Sequence, residues 1–159
     1  MSATARLLLV LPLALFISSC SSGLPYEGKS LAQLQEMLKD SDPKVQAQGA
    51  YGLSLDRDMA REAVPALIEA MQSKHAIVRE KAARALATAG PDAAAAVPVL
   101  VGALEDSSWS VQRQAALALG EMGPKAETAI PALQNLSDAP NKPLRQAVQQ
   151  ALRKIEAQP

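Results

Sequence analysis

Aliphatic residues recur every three to four positions, in paired runs, along most of the chain. Leu31, Leu34 and Leu38 form one run, and Val45, Gly49 and Leu53 the next. The two-run phrase returns as Val64, Leu67 and Met71 with Val78, Ala82 and Leu86. It returns again as Val97, Leu100 and Leu104 with Val111, Ala115 and Leu119, and finally as Ile130, Leu133 and Leu136 with Leu144, Val148 and Leu152. This spacing sets each run on one face of a helix, so the pattern predicts four helix pairs. The small residues in the middle of the second runs let neighbouring helices approach closely. Strand-like alternation of apolar and polar positions is absent.

The punctuation repeats with the helices. Ala63-Val64-Pro65, Ala96-Val97-Pro98 and Ala129-Ile130-Pro131 are each 33 residues apart. Their prolines fall in a helix's first turn, where no amide donor is missed. Gly90-Pro91 and Gly123-Pro124 end the second helices: glycine tolerates the left-handed cap, and proline stops continuation. Ser73, Asp106 and Ser107 fall in the short turns between paired helices. A fixed period of this length means stacked two-helix units rather than one globular core. The expectation is an all-α chain, a right-handed α-solenoid of about four repeats. Its domain covers 30–159, with units near 30–61, 62–94, 95–127 and 128–157. The outer units depart from the pattern, as caps do. The first lacks the Val-Pro start and the Gly-Pro exit, and the fourth carries Asn141-Lys142-Pro143 and no terminal glycine.

The first nineteen residues read differently. Arg6 is the only charge before Glu27, and an apolar run from Leu7 to Ile17 follows it, interrupted only by Pro12. This run is far shorter than the roughly 20 residues that span a bilayer. A positive start, a short apolar stretch and small residues beyond it read as a secretory signal peptide over 1–19. Cys20 is the only cysteine, so no disulfide can form within the chain. Ile17-Ser18-Ser19-Cys20 resembles the lipobox of bacterial lipoproteins: an aliphatic residue, two small residues, then cysteine. That resemblance implies cleavage before Cys20 and a diacylglycerol thioether on its sulfur. Ser21, rather than an aspartate, after the cysteine implies the outer membrane. The alternatives are an ordinary signal peptide with a chance cysteine, or a buried core cysteine. Residues 20–29 then form the lipidated cysteine and a linker rich in serine, glycine and proline. Its nine residues after Cys20 reach at most about 30 Å, which holds the fold near the membrane.

Charge and composition exclude some partners. The chain has 16 Lys+Arg and 16 Asp+Glu, and loss of Arg6 leaves a slightly acidic mature chain. No basic excess argues for nucleic acid. Beyond residue 20 the aromatic residues are Tyr26, Tyr51 and Trp109, too few for a base-stacking platform. His75 is the only histidine and falls in a predicted turn between helices. With Cys20 acylated, no metal site is expected. No nucleophile elbow or phosphate-binding glycine loop is present, and no cofactor is expected.

The phrase from Asp106 through Trp109, Val111, Ala115, Ala116, Leu119 and Met122 to Gly123 resembles the HEAT repeat, closest to the variety named after phycobilisome lyases. The resemblance covers residues 30 to about 156. It implies the fold and says little of function. HEAT repeats often pair a turn aspartate with an arginine six residues later, as a ladder between units. Here the pairs are Asp40/Gln46, Ser73/Arg79, Asp106/Gln112 and Ala139/Arg145, and no unit holds both members. The expected bonds are Arg79 to Asp40 or Asp106, and Arg145 to Asp106. Some HEAT-repeat enzymes hold iron with His-Glu pairs, of which this chain has none.

The resemblance also implies that second helices line the concave side. Positions opposite their core stripe form two rows: Ala47, Glu80, Arg113, Gln146, and Tyr51, Arg84, Leu117, Gln150. Tyr51, Arg84, Arg113 and an exposed Leu117 are types that anchor interfaces. Trp109 opens a second helix, where these repeats often use tryptophan for packing. It could also anchor a partner. The resulting expectation is a non-enzymatic, membrane-anchored scaffold or assembly adaptor for an unknown protein partner, facing the periplasm. An enzyme accessory or bilin-lyase-like activity, and a structural spacer without a specific partner, are the alternatives.

Overall fold

A computed structural model describes residues 23–157. Cys20 and the Ile17-Ser18-Ser19 segment before it lie outside the described residues. Helices α1 (Leu31–Leu38) and α2 (Pro43–Leu53) form the first pair, α4 (Val64–Ala70) and α5 (Ala76–Ala89) the second. The third pair is α6 (Val97–Ala103) with α7 (Trp109–Met122), and the fourth is α8 (Ile130–Asn135) with α9 (Lys142–Glu156). The remaining helix, α3 (Arg57–Glu62), joins the first pair to the second. The fold is an all-α solenoid of helical repeats, and no strand occurs among the described residues.

Local chemistry sets the helix ends. Ser30 and Gln33 make a reciprocal capping box on α1, with the Ser30 amide donating to Gln33 Oε1 at 2.9 Å. Asp42, Asp56 and Asn141 cap α2, α3 and α9 through their side-chain oxygens. Pro65, Pro98 and Pro131 occupy the first turns of α4, α6 and α8. Gly90 and Gly123 stop α5 and α7 at φ 62° and 59°; their ψ of −135° and −140° departs from the left-handed helical cap expected, in a region that glycine alone enters freely. Each then opens a 3₁₀ segment, Gly90–Ala96 and Gly123–Ala129. The first unit has no Gly-Pro exit, and at the equivalent place the Asp56 cap starts the short α-helix α3 instead.

The second helices pack on one another in order, α2 on α5, α5 on α7 and α7 on α9, whereas the first helices touch each other sparsely. The layer with the closer spacing is the inner one, so the stack curves toward the second helices. Small residues permit that spacing. A Cβ on Gly120 of α7 would lie 2.8 Å from Ala151 Cα of α9. Within the first pair, one on Gly49 of α2 would lie 2.8 Å from the Leu34 carbonyl oxygen of α1. The core between the layers is continuous and contains Leu34, Leu53, Leu67, Leu86, Leu100, Leu119, Leu133 and Val148. Truncating the fully buried Leu86 or Leu119 to alanine costs about 2–5 kcal/mol. The stretch Ala76–Ala103 is long and apolar enough to span a membrane by composition alone. Here it is broken at Gly90, and most of its apolar side chains join this core.

Segment 24–29 departs from the linker expected of its composition. The Glu27 amide donates to the Leu24 carbonyl at 2.8 Å, and the Leu24 amide to Glu27 Oε2 at 3.1 Å. The turn lays Tyr26 on the first unit. Its ring meets that of Tyr51 edge-on, with centroids 4.9 Å apart and planes at 70°. The absence of a side chain at Gly52 makes room, since a Cβ there would lie 2.8 Å from Tyr26 Cβ.

Candidate protein-binding face

Tyr51, Arg84 and Arg113 stand on the inner face on three successive second helices, α2, α5 and α7. The Arg84 guanidinium lies 5.0 Å from the Tyr51 ring centroid, and Lys81 Nζ lies 5.9 Å from it. Both are within cation–π range. Lys81 also pairs with Glu80 at 3.0 Å. Arg84 is exposed and Arg113 half-buried. The Nε of Arg113 is buried and has no hydrogen-bond partner among the described residues. The centre of the face thus carries three cations, one carboxylate and an aromatic ring. Packing against the first unit, then the neighbouring Tyr51, pushes the Tyr26 phenol above its ordinary range.

Two members of the expected rows differ. Leu117 is half-buried and packs against the core instead of standing exposed. The close approach of α5 and α9 on either side of α7 covers its flanks. Ala47, on α2, is buried. Trp109 does not pack inward: it is 50 % exposed at the start of α7, and Ile77 in the first turn of α5 is 45 % exposed. His75 is half-buried at the N-cap of α5, and its side chain makes no capping bond.

The four ladder candidates separate into two roles. Arg79 reaches Asp106 of the next unit with two bonds, Nε to Oδ2 at 2.6 Å and Nη2 to Oδ1 at 2.8 Å. Both side chains are largely buried. The Arg79 guanidinium, aided by the Ser108 amide, outweighs burial and holds the Asp106 carboxyl below its ordinary range. Asp40 does not join a ladder; its carboxylate accepts the Asp42 amide at 2.8 Å. Arg145 does not reach Asp106 either. Its Nη1 donates to the carbonyls of Ala139 at 2.7 Å and Pro140 at 3.0 Å, and Asp106 is already engaged by Arg79.

Sequence reasoning missed a bond present in every unit. The residue six positions after the turn donates its side chain to the turn's backbone carbonyl. Gln46 bonds Asp40 at 2.6 Å, Arg79 bonds Ser73 at 2.7 Å, Gln112 bonds Asp106 at 2.8 Å, and Arg145 bonds Ala139 at 2.7 Å. The signal was legible: Gln, Arg, Gln and Arg are all long donors at one register.

No group of three or more His, Cys, Asp or Glu side chains is placed to hold a metal ion among the described residues.

Residues 31–97 and 89–153 each match the HEAT repeats family. The chain belongs to the HEAT-repeat family. Helical repeat folds of this family generally mediate protein–protein interaction. No curated protein matches the chain. Among solved structures, two engineered proteins share 26% identity with it at TM-scores of 0.69 and 0.71. Both alignments cover 79% of this chain and 62% and 63% of theirs, so the HEAT-repeat chain spans under two thirds of their length. Human deoxyhypusine hydroxylase, solved in complex with glycerol, shares 26% identity at a TM-score of 0.59, over 82% of this chain and 44% of its own.

Proposed function

We propose that this HEAT-repeat chain is a lipid-anchored interaction module of the bacterial envelope that holds a protein partner on its inner face. The observation that carries the binding role is the row Tyr51, Arg84 and Arg113, where the Arg84 guanidinium and Lys81 Nζ lie 5.0 and 5.9 Å from the Tyr51 ring centroid. Three cations against the single carboxylate of Glu80 favour an acidic partner. The partner therefore presents a carboxylate-rich segment to Lys81, Arg84 and Arg113. Anchoring rests on the sequence alone: the apolar run 7–17 and Ile17-Ser18-Ser19-Cys20 support a thioether-linked lipid on Cys20. Ser21 supports the outer membrane, with the solenoid facing the periplasm.

The test is crosslinked capture from intact envelopes, comparing the native protein with an Arg84→Glu, Arg113→Gln variant of unchanged helicity. Leu117 is left intact because it is part of the packing. A partner held by the native protein and lost by the variant supports the inner face. Equal capture by both moves the site elsewhere, and Trp109 with Ile77 is the next surface to test. Cys20→Ala should abolish incorporation of labelled palmitate and release the protein from membranes. Retention of label would overturn the anchor.

A further inference from the structure

We infer that the N-terminal end of the solenoid lies flat against the lipid bilayer, with the groove between segment 24–29 and the first unit facing the headgroup–acyl boundary. The inference rests on the proposed lipid at Cys20. Segment 24–29 is folded onto the first unit through the Leu24–Glu27 turn and the Tyr26–Tyr51 contact. Leu24 is the first residue tied to the fold among the described residues, and the chain from Cys20 to Leu24 spans at most about 14 Å. A tether running to residue 29 would allow about twice that reach. The end of the stack that carries Leu24 has little freedom to turn away from the membrane.

That end is built for an apolar surface. A groove of about 540 Å³ opens there, lined by Leu24, Tyr26, Tyr51, Leu55 and Met59 among others. Leu24 and Leu55 are each 58 % exposed, the most exposed large hydrophobic side chains among the described residues. Two tyrosines beside them suit the interface, where an apolar ring and a polar hydroxyl are both accommodated. The groove's carboxylates are already engaged by backbone amides: Glu27 accepts from Leu24 at 3.1 Å and Asp56 from Met59 at 2.9 Å. Only Lys29 among the lining residues adds a cation. The contact is therefore driven by apolar burial and does not require anionic lipid. Its energy is small, but a neighbouring anchor raises the local concentration of lipid enough for it to set orientation. The fourth unit then stands three repeats away, about 30 Å from the surface at roughly 10 Å per stacked pair.

The lipidated full chain carrying Leu55→Cys has one free thiol, because Cys20 is acylated. It is labelled with an environment-sensitive fluorophore and mixed with phosphatidylethanolamine–phosphatidylcholine vesicles, with or without nitroxide-headgroup lipid. Asp138→Cys, exposed in the fourth unit, is the control. The expected result is flotation of both variants, with blue-shifted emission and loss of intensity on nitroxide addition at position 55 only, in vesicles that contain no anionic lipid. Flotation with position 55 as water-exposed as position 138 overturns the orientation and leaves the anchor standing. A blue shift that nitroxide lipid does not quench means that the protein's own acyl chain or a second copy fills the groove, and also overturns it. Protein that fails to float removes the anchor and the orientation with it.

Discussion

Arg79 grips both carboxylate oxygens of Asp106 across the boundary between the second and third units, and with its remaining nitrogen Nη1 closes the turn of its own unit on Ser73. One side chain thus fixes both a loop and the register of two repeats. The two roles separate by mutation, because Gln46 and Gln112 close the same turn in their units without bridging. Arg79→Gln should keep the turn bond and lose the bridge, at a cost of about 1–3 kcal/mol. Arg145→Gln should be nearly neutral, since Arg145 makes only turn bonds. Urea unfolding of the two variants checks this. Equal midpoints would mean that the bridge adds no stability.

The same bridge sets a pH dependence. The Asp106 carboxyl is held below its ordinary range by Arg79. A group with a depressed folded-state pKa contributes stability that is full above the unfolded value and is lost as pH falls through the folded one. Against an unfolded value of about 3.9, the window lies below about pH 4. Asp106→Asn keeps an acceptor for the Ser108 amide but removes the charge. The stability gap between the native chain and this variant should be widest at neutral pH and close in acid. Denaturant titrations at several pH values measure it, and a gap independent of pH would exclude a charge-based bridge.

The stacked pairs were legible because each row of the repeat does one job in every unit. Leu53, Leu86, Leu119 and Leu152 hold one register, and Leu53, Leu86 and Leu119 are fully buried. Pro65, Pro98 and Pro131 mark starts wherever they occur. Features that depend on distant neighbours were not legible. Ser21 to Lys29 has the composition of a free linker, and only the fold shows Tyr26 meeting Tyr51. Leu117 lies off the core stripe, yet its burial is set by how near α5 and α9 come. Arg145 has the length to reach another unit, but two carbonyls of its own turn capture it first. The inner-face row was visible as sequence, whereas the orphaned Nε of Arg113 was not.

Two glycines should respond to alanine with opposite sign. Gly90 has φ 62° and ψ −135°, a conformation open essentially to glycine alone. A Cβ there meets nothing closer than 3.6 Å, so the penalty is backbone strain and not crowding. Gly90→Ala should cost about 1–3 kcal/mol. Gly102 lies inside α6 with open space around it. Gly102→Ala should gain about 0.5–1 kcal/mol by restricting the unfolded chain. Thermal melts of both variants test the pair together, and a loss at Gly102 would contradict the open surroundings of α6.

Gly120 controls whether the last unit stays docked. The α7–α9 contact is the most extensive between any two helices described, and a Cβ at Gly120 would sit 2.8 Å from the Ala151 backbone. Backbone cannot give way as a flexible side chain does, so Gly120→Ala should force α9 outward at about 1–3 kcal/mol. In a repeat stack each unit is stabilised by its neighbours, so the damage should stay local. Brief trypsin treatment should cut the variant first after Arg145, Arg153 or Lys154 in α9, while Arg79 and Arg84 in α5 remain protected. Removing α8 and α9 altogether, by truncation after Gly123, bares the apolar flank of α7 and should produce aggregation. If α9 in the Gly120→Ala protein proved as resistant as in the native chain, the contact would have slack that its geometry denies.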